Sequence, residues 1–225
     1  SIMNPFLFNG HLQTMFAGIR RFRNVDILYF TRQIRFANDG GCVSLDHVVS
    51  KEQFYKVKND LVIPENQPEH IDDYIRYMSK DEIEFQEKGS DDSKAIVLTL
   101  TGLSGSSAES YIRCLYNKLN KNLDFELYVM NSRGCGNTKL TTPKLFCALW
   151  TEDVRCLVKF FREKYPNRKI YLFGISLGSI VMANYLAQEG ENSNISLEIA
   201  LASIWDLRGS SYFLENGFIS SLFYS

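Results

Sequence analysis

Over the second half of the chain, apolar residues follow two alternating rhythms. Ala95 to Leu100 is a short, nearly unbroken apolar run, and from about Ser110 to Asn120 the residues Tyr111, Cys114, Leu115 and Leu119 return at helical spacing. The pair then repeats. Glu126 to Met130 reads as a strand, Asn131 to Gly136 as a tight loop, and Thr151 to Lys164 as a helix whose Val154, Leu157, Val158 and Phe161 share one face, ended by Pro166. Ile170 to Phe173 is a further apolar strand, Ser179 to Gln188 a further helix, and Leu197 to Ala202 another apolar strand. Short apolar strands separated by helices predict a mostly parallel sheet covered by helices on both faces.

Upstream the pattern changes. Gly40-Gly41 followed by the alternation Cys42-Val43-Ser44-Leu45-Asp46 predicts a strand entered from a turn, in an antiparallel hairpin near the sheet edge. Val62 to Gly89 reads as a connection broken by charges and two prolines, with Ile71 to Met78 expected to form one short helix.

Composition narrows the class. A chain of 225 residues, 45% hydrophobic and 23% charged, fits one globular domain, and a net charge of -1 supplies no overall positive field for nucleic acid. Arg20, Arg21 and Arg23 around Phe22 form the one local exception, either a solvated face or a peripheral contact with a membrane or lipid droplet. The five cysteines, Cys42, Cys114, Cys135, Cys147 and Cys156, contain no C-x-x-C pair and no zinc-binding spacing, so they read as structural thiols. An odd count without a secretory leader fits an intracellular protein, cytoplasmic or membrane-associated. No apolar run reaches the roughly 18 residues that span a bilayer.

The candidate chemistry sits between the strand at Ile170 and the helix near Ser179. Gly174-Ile175-Ser176-Leu177-Gly178 is G-x-S-x-G at a strand-to-helix junction, where a sharp turn projects a serine hydroxyl over the carboxyl edge of the sheet. Ser176 is the candidate nucleophile. The Leu177 N–H, at the helix start, would point at a developing oxyanion, and a second donor is expected from Leu103 in Thr101-Gly102-Leu103-Ser104-Gly105-Ser106-Ser107, the loop after an earlier strand. A phosphate cradle is the rival reading of that glycine-rich loop, but it lacks the lysine a P-loop uses.

Asn9-Gly10-His11-Leu12-Gln13-Thr14, Asp39-Gly40-Gly41, Leu45-Asp46, Gly102 to Ser107, Asn131-Ser132-Arg133-Gly134-Cys135-Gly136 and Gly174 to Gly178 together resemble the AB hydrolase 4 family of the AB hydrolase superfamily, and within it the yeast medium-chain fatty acid ethyl ester synthase/esterase group. The resemblance implies an α/β-hydrolase fold and a serine esterase or acyltransferase without a cofactor. It implies small-molecule substrates: medium-chain acyl esters, or acyl-CoA with an alcohol as acyl acceptor. It also places the nucleophile on Ser176 and the oxyanion donors on Leu103 and Leu177. Two positions depart from the family pattern. Thr101 stands where a histidine is common, and Ser203-Ile204 stands where Asn-Pro precedes Trp205-Asp206-Leu207.

In this fold the catalytic acid and histidine follow the serine, yet His11, His47 and His70 all precede Ser176. Residues 1–225 are therefore expected to be the front part of one such domain, with the last strands, acid and base missing, inactive alone, and with Phe218, Leu222 and Phe223 left exposed. A catalytically dead module that binds a lipid or protein partner is the alternative. His11 reads as a structural histidine, Asp206 as a turn or cap residue, and Cys135 as structural rather than redox-active. Arg133 either steers an anionic acyl-CoA or anchors its loop. Phe146, Leu149 and Trp150 are expected in an acyl pocket or in the core.

Overall fold

The computed structural model describes residues 12, 13, 16, 22–57, 59–122 and 124–216. His11, Arg20, Arg21, Phe218, Leu222 and Phe223 lie outside them, and so do the expectations placed on those residues. Among the described residues seven strands form one sheet: β1 (Tyr29–Phe36), β2 (Cys42–Val49), β3 (Ile75–Tyr77), β4 (Ile96–Leu100), β5 (Glu126–Asn131), β6 (Ile170–Ile175) and β7 (Leu197–Leu201). Their order is β3-β1-β2-β5-β4-β6-β7. β2 runs antiparallel to both neighbours, and every other pairing is parallel.

Alternation along the central strands feeds two apolar layers. Ile96, Leu98, Leu100, Tyr128, Met130, Ile170 and Leu172 face α4 (Glu152–Lys164) and α5 (Leu177–Glu189), packing on Val154, Leu157, Phe161, Val181 and Met182. Val97, Leu127, Val129 and Ile175 face the other way, where α3 (Ser110–Asn122) contributes Ile112 and Tyr116. The fully buried Tyr116 hydroxyl lies 2.6 Å from both Thr99 Oγ1 and the Tyr128 carbonyl, so its polar end is satisfied inside that layer.

The stretch from Ile71 to Met78 is not a helix. Its Ile75–Tyr77 portion is β3, parallel to β1 at the sheet edge, and Met78 N–H donates to the Arg32 carbonyl at 3.0 Å. Pairing with an available edge overrides the weak helical spacing of so short a segment. Two short helices flank it, α1 (Lys51–Lys56) and α2 (Lys80–Lys88), each begun by a reciprocal capping box, Ser50 with Gln53 and Ser79 with Glu82. α6 (Leu207–Asn216) follows β7, and Asp206 caps it by accepting from Gly209 N–H at 2.8 Å.

β7 is the opposite edge. Among the described residues it pairs only with β6, and its Leu197, Ile199 and Leu201 are exposed. No helix among the described residues is long and apolar enough to cross a membrane.

Candidate active site at the β6–α5 turn

β6 ends at Ile175 and α5 begins at Leu177, two residues earlier than the sequence pattern indicates, so Ser176 alone makes the turn. Its backbone is at φ 51, ψ −116, a conformation that non-glycine residues adopt only under strain. The flanking glycines are needed for clearance. A Cβ at Gly174 would stand 2.5 Å from Ser179 Cα, and one at Gly178 would stand 2.3 Å from the Leu100 carbonyl oxygen. The helix thereby closes down on the ends of β4 and β6. Ser176 N–H donates to the Leu201 carbonyl at 2.9 Å, and Ser179 N–H returns to the Ser176 carbonyl at 3.0 Å, fixing the turn on both sides.

The loop leaving β4 passes beside the serine. A Cβ on Gly102 would lie 3.4 Å from Ser176 Cβ and 3.9 Å from Ser176 Oγ, ordinary van der Waals contact, so Gly102 lies beside the serine side chain. Leu103 follows with its side chain exposed. Leu177, first residue of α5, has an N–H with no acceptor inside the helix, and the positive end of the helix dipole lies there. Ser176, Leu103 and Leu177 are thus brought to one place at the carboxyl edge of the sheet.

A buried polar network that the sequence reading left without a role supports this corner. Asp46, on β2, receives Arg32 Nε and Nη2 at 2.6 Å each, Asn131 Nδ2 at 2.7 Å and Ser107 Oγ at 2.5 Å. Asn131 Oδ1 accepts from Ser107 N–H at 2.9 Å, and Arg32 Nη1 donates to the Gly136 carbonyl at 2.5 Å. Charged residues at buried strand positions were the available signal: a lone buried charge is so costly that Arg32 and Asp46 each require a partner.

Arg133 anchors its loop. Its side chain is fully buried and pairs with Asp153 at 2.7 Å and Asp39 at 2.9 Å, over the Trp150 ring, so steering a soluble anion is not open to it. The bonds from Arg133 hold the Asp39 carboxyl at about 2, and those from Asp153 and then Asp39 raise the Arg133 guanidinium further. Gly41 leaves the space this guanidinium fills: a Cβ there would lie 2.0 Å from Arg133 Nη1. Trp150 is therefore part of the anchor, whereas Leu149 is 71% exposed. Burial pushes the Cys135 thiol up, away from the thiolate that redox chemistry uses.

Neither described histidine reaches the serine. His47 pairs in register with Tyr128, three strands from β6, and stands level with Leu172, about 13 Å of strand short of Ser176. Its Nε2 lies 2.5 Å from Glu126 Oε2, while exposed His70 lies 3.9 Å from Asp73. Among the described residues no cluster of His, Cys, Asp or Glu could hold a metal ion.

A mostly parallel sheet with a strained serine between a strand and the next helix defines an α/β hydrolase. A family model for the alpha/beta hydrolase fold matches residues 95–217, more than half of the chain, and the chain belongs to that family. It is 36% identical over 221 residues to the monoacylglycerol lipase of Saccharomyces cerevisiae, covering 97% of this chain and 49% of that protein. To the medium-chain fatty acid ethyl ester synthase/esterase 2 of the same yeast it is 32% identical, covering 91% of this chain and 48% of the relative. The chain thus spans about half the length of these relatives. The solved structure of the Pyrococcus furiosus esterase Pf2001 superposes with a TM-score of 0.52 at 17% identity, covering 88% of this chain and 63% of that one, a likeness of fold.

Proposed function

We propose that Ser176 is the nucleophile of a carboxylic ester hydrolase or acyltransferase, in a chain that forms the front part of one α/β-hydrolase domain. The observation that carries this reading is the strained backbone of Ser176, at φ 51, with Gly102 beside its side chain. Ser176 Oγ, giving its proton to a general base from outside the described residues, attacks the acyl carbonyl, and the N–H groups of Leu103 and Leu177 hold the tetrahedral oxyanion; its collapse expels the leaving group, which takes up that proton, and leaves an acyl-enzyme. Water then completes hydrolysis, or an alcohol completes transfer. The names of the two yeast relatives, a monoacylglycerol lipase and an ethyl ester synthase/esterase, support fatty acyl esters as substrates; acyl-CoA is the donor we assign where an alcohol is the acceptor. So does the surface: loops leaving the carboxyl ends of β4, β5 and β7 carry exposed Leu103, Leu149 and Trp205, apolar ground suited to an acyl chain.

The test is labelling with a fluorophosphonate serine probe, applied to this chain and to the full-length product of its gene, with Ser176→Ala as control. Labelling that disappears in the mutant is the expected result, and the full-length product is expected to label where this chain alone does not. Absence of labelling in both forms would replace this reading with a module that binds a lipid or protein partner without turnover.

A further inference from the structure

An oxyanion donor works only if it is fixed before the charge develops. The segment that would carry one here, Thr101 to Ser107, belongs to no helix or strand, and Ser104 crosses it at φ 56. Such a loop presents a donor reproducibly when its other polar groups are already engaged. Gly105 N–H donates to the Gly102 carbonyl at 3.0 Å. The hydroxyl of Thr101, a residue only 4% exposed, donates to the Gly105 carbonyl at 3.2 Å and closes the turn from inside. Tyr111, in the first turn of α3, covers the same turn from outside: a Cβ on Gly105 would stand 2.8 Å from its phenol oxygen and 3.2 Å from Thr101 Cβ. Ser107 pins the far end through Asn131 and Asp46. The Leu103 N–H enters none of these bonds, and it is the next peptide after Gly102, which lies beside the Ser176 side chain.

Thr101 also touches the other donor's support. A Cβ on Gly178 would come within 2.6 Å of the Thr101 carbonyl oxygen, so the main chain of Thr101 lies against the start of α5, one residue from Leu177. Its carbonyl side sets the distance to the helix, and its hydroxyl sets the shape of the loop.

We propose that Thr101, seconded by Tyr111, is a positioning residue that fixes the Leu103 and Leu177 N–H groups relative to each other and to Ser176. The proposal rests on the reading of Ser176 as nucleophile and deepens it. Neither hydroxyl meets substrate; each holds the peptides that do. Burial, and then Glu109, raise the Tyr111 phenol above its ordinary value, with the Gly102 backbone opposing.

The experiment uses the full-length gene product with Thr101→Val, Thr101→Ser and Tyr111→Phe. It measures kcat and KM on a p-nitrophenyl acyl ester and affinity for a trifluoromethyl ketone, which forms an oxyanion adduct on the serine. Thr101→Val is expected to lower kcat by between about 10-fold and about 100-fold with KM nearly unchanged, and to weaken the adduct in parallel. Thr101→Ser, which keeps the hydroxyl, is expected to restore both. Wild-type kcat in folded Thr101→Val, or a loss of kcat without loss of adduct affinity, overturns the proposal. If Thr101→Val does not fold, Tyr111→Phe decides alone: a parallel loss of kcat and adduct affinity supports the proposal, and wild-type values for both overturn it. Failure of the serine reading is distinguishable, because Ser176→Ala would then match wild type before any Thr101 variant is compared, and the proposal would fall with it.

Discussion

At the scale of single residues, the backbone of Ser176 is a strained position. A non-glycine residue at φ 51, ψ −116 carries strain of about 1 to 3 kcal/mol, maintained because Gly174 and Gly178 let the helix close against β4 and β6. Glycine would relieve that strain, less about 1 kcal/mol for its greater freedom in the unfolded chain. Ser176→Gly is therefore expected to be more stable than Ser176→Ala by about 1 kcal/mol, read from urea midpoints, and a less stable glycine variant would mean that the turn is relaxed. The five residues of this turn were legible in the sequence because the chemistry restricts them so tightly. Arg32 and Asp46 were not: their partners Ser107, Asn131 and Gly136 come from distant segments, and no spacing along the chain announces a network assembled by the fold.

At the scale of elements, legibility follows apolar periodicity rather than burial: exposed β7 is found, and buried β3 is missed. From β4 onward each strand is a short apolar run and α3 and α4 each carry one apolar face, so hydrophobic periodicity finds them to within a few residues. β3 escapes because three residues are too few to show a period, and β1 because Thr31, Arg32 and Gln33 are buried polar side chains inside it. The helices α1 and α2 are too short for an amphipathic stripe and are marked instead by their capping boxes. For α2 this has a measurable consequence. Ser79 accepts from Glu82 N–H, and the Glu82 carboxylate both returns to Ser79 N–H and pairs with Arg76 at 2.6 Å. Ser79→Ala is expected to cost about 1 kcal/mol in denaturant unfolding, and Ser79→Asp, which keeps a capping oxygen, distinctly less.

At the scale of the whole molecule, the sheet divides its work between its two ends. The carboxyl edge of the parallel strands carries Ser176 and the Thr101 to Ser107 loop, while near the amino end of β5 His47 stacks on Tyr128 and meets Glu126, which also pairs with Lys94 at 2.8 Å. Burial alone would push the Glu126 carboxyl up; the bonds from His47 and Lys94 outweigh it and hold it at about 2, below the ordinary 4.5. Between those values the unfolded chain binds a proton that the folded chain refuses. The contribution to stability is thus complete above pH 4.5 and is lost as pH falls toward about 2. Urea midpoints of wild type are expected to drop across that window, and those of Glu126→Gln to drop less; equal slopes would show that this carboxylate does not govern acid unfolding. The placement of β2 has a different consequence, in the timing of synthesis. The β1–β2 hairpin docks on β5; the half-buried carboxylate of Asp39 waits for Arg133, and the buried one of Asp46, already paired with Arg32, waits for Asn131, each made more than eighty residues later. At ordinary elongation rates that interval lasts about 5 to 20 s, during which the hairpin emerges from the ribosome charged and hydrated, and two strands made early are locked in late.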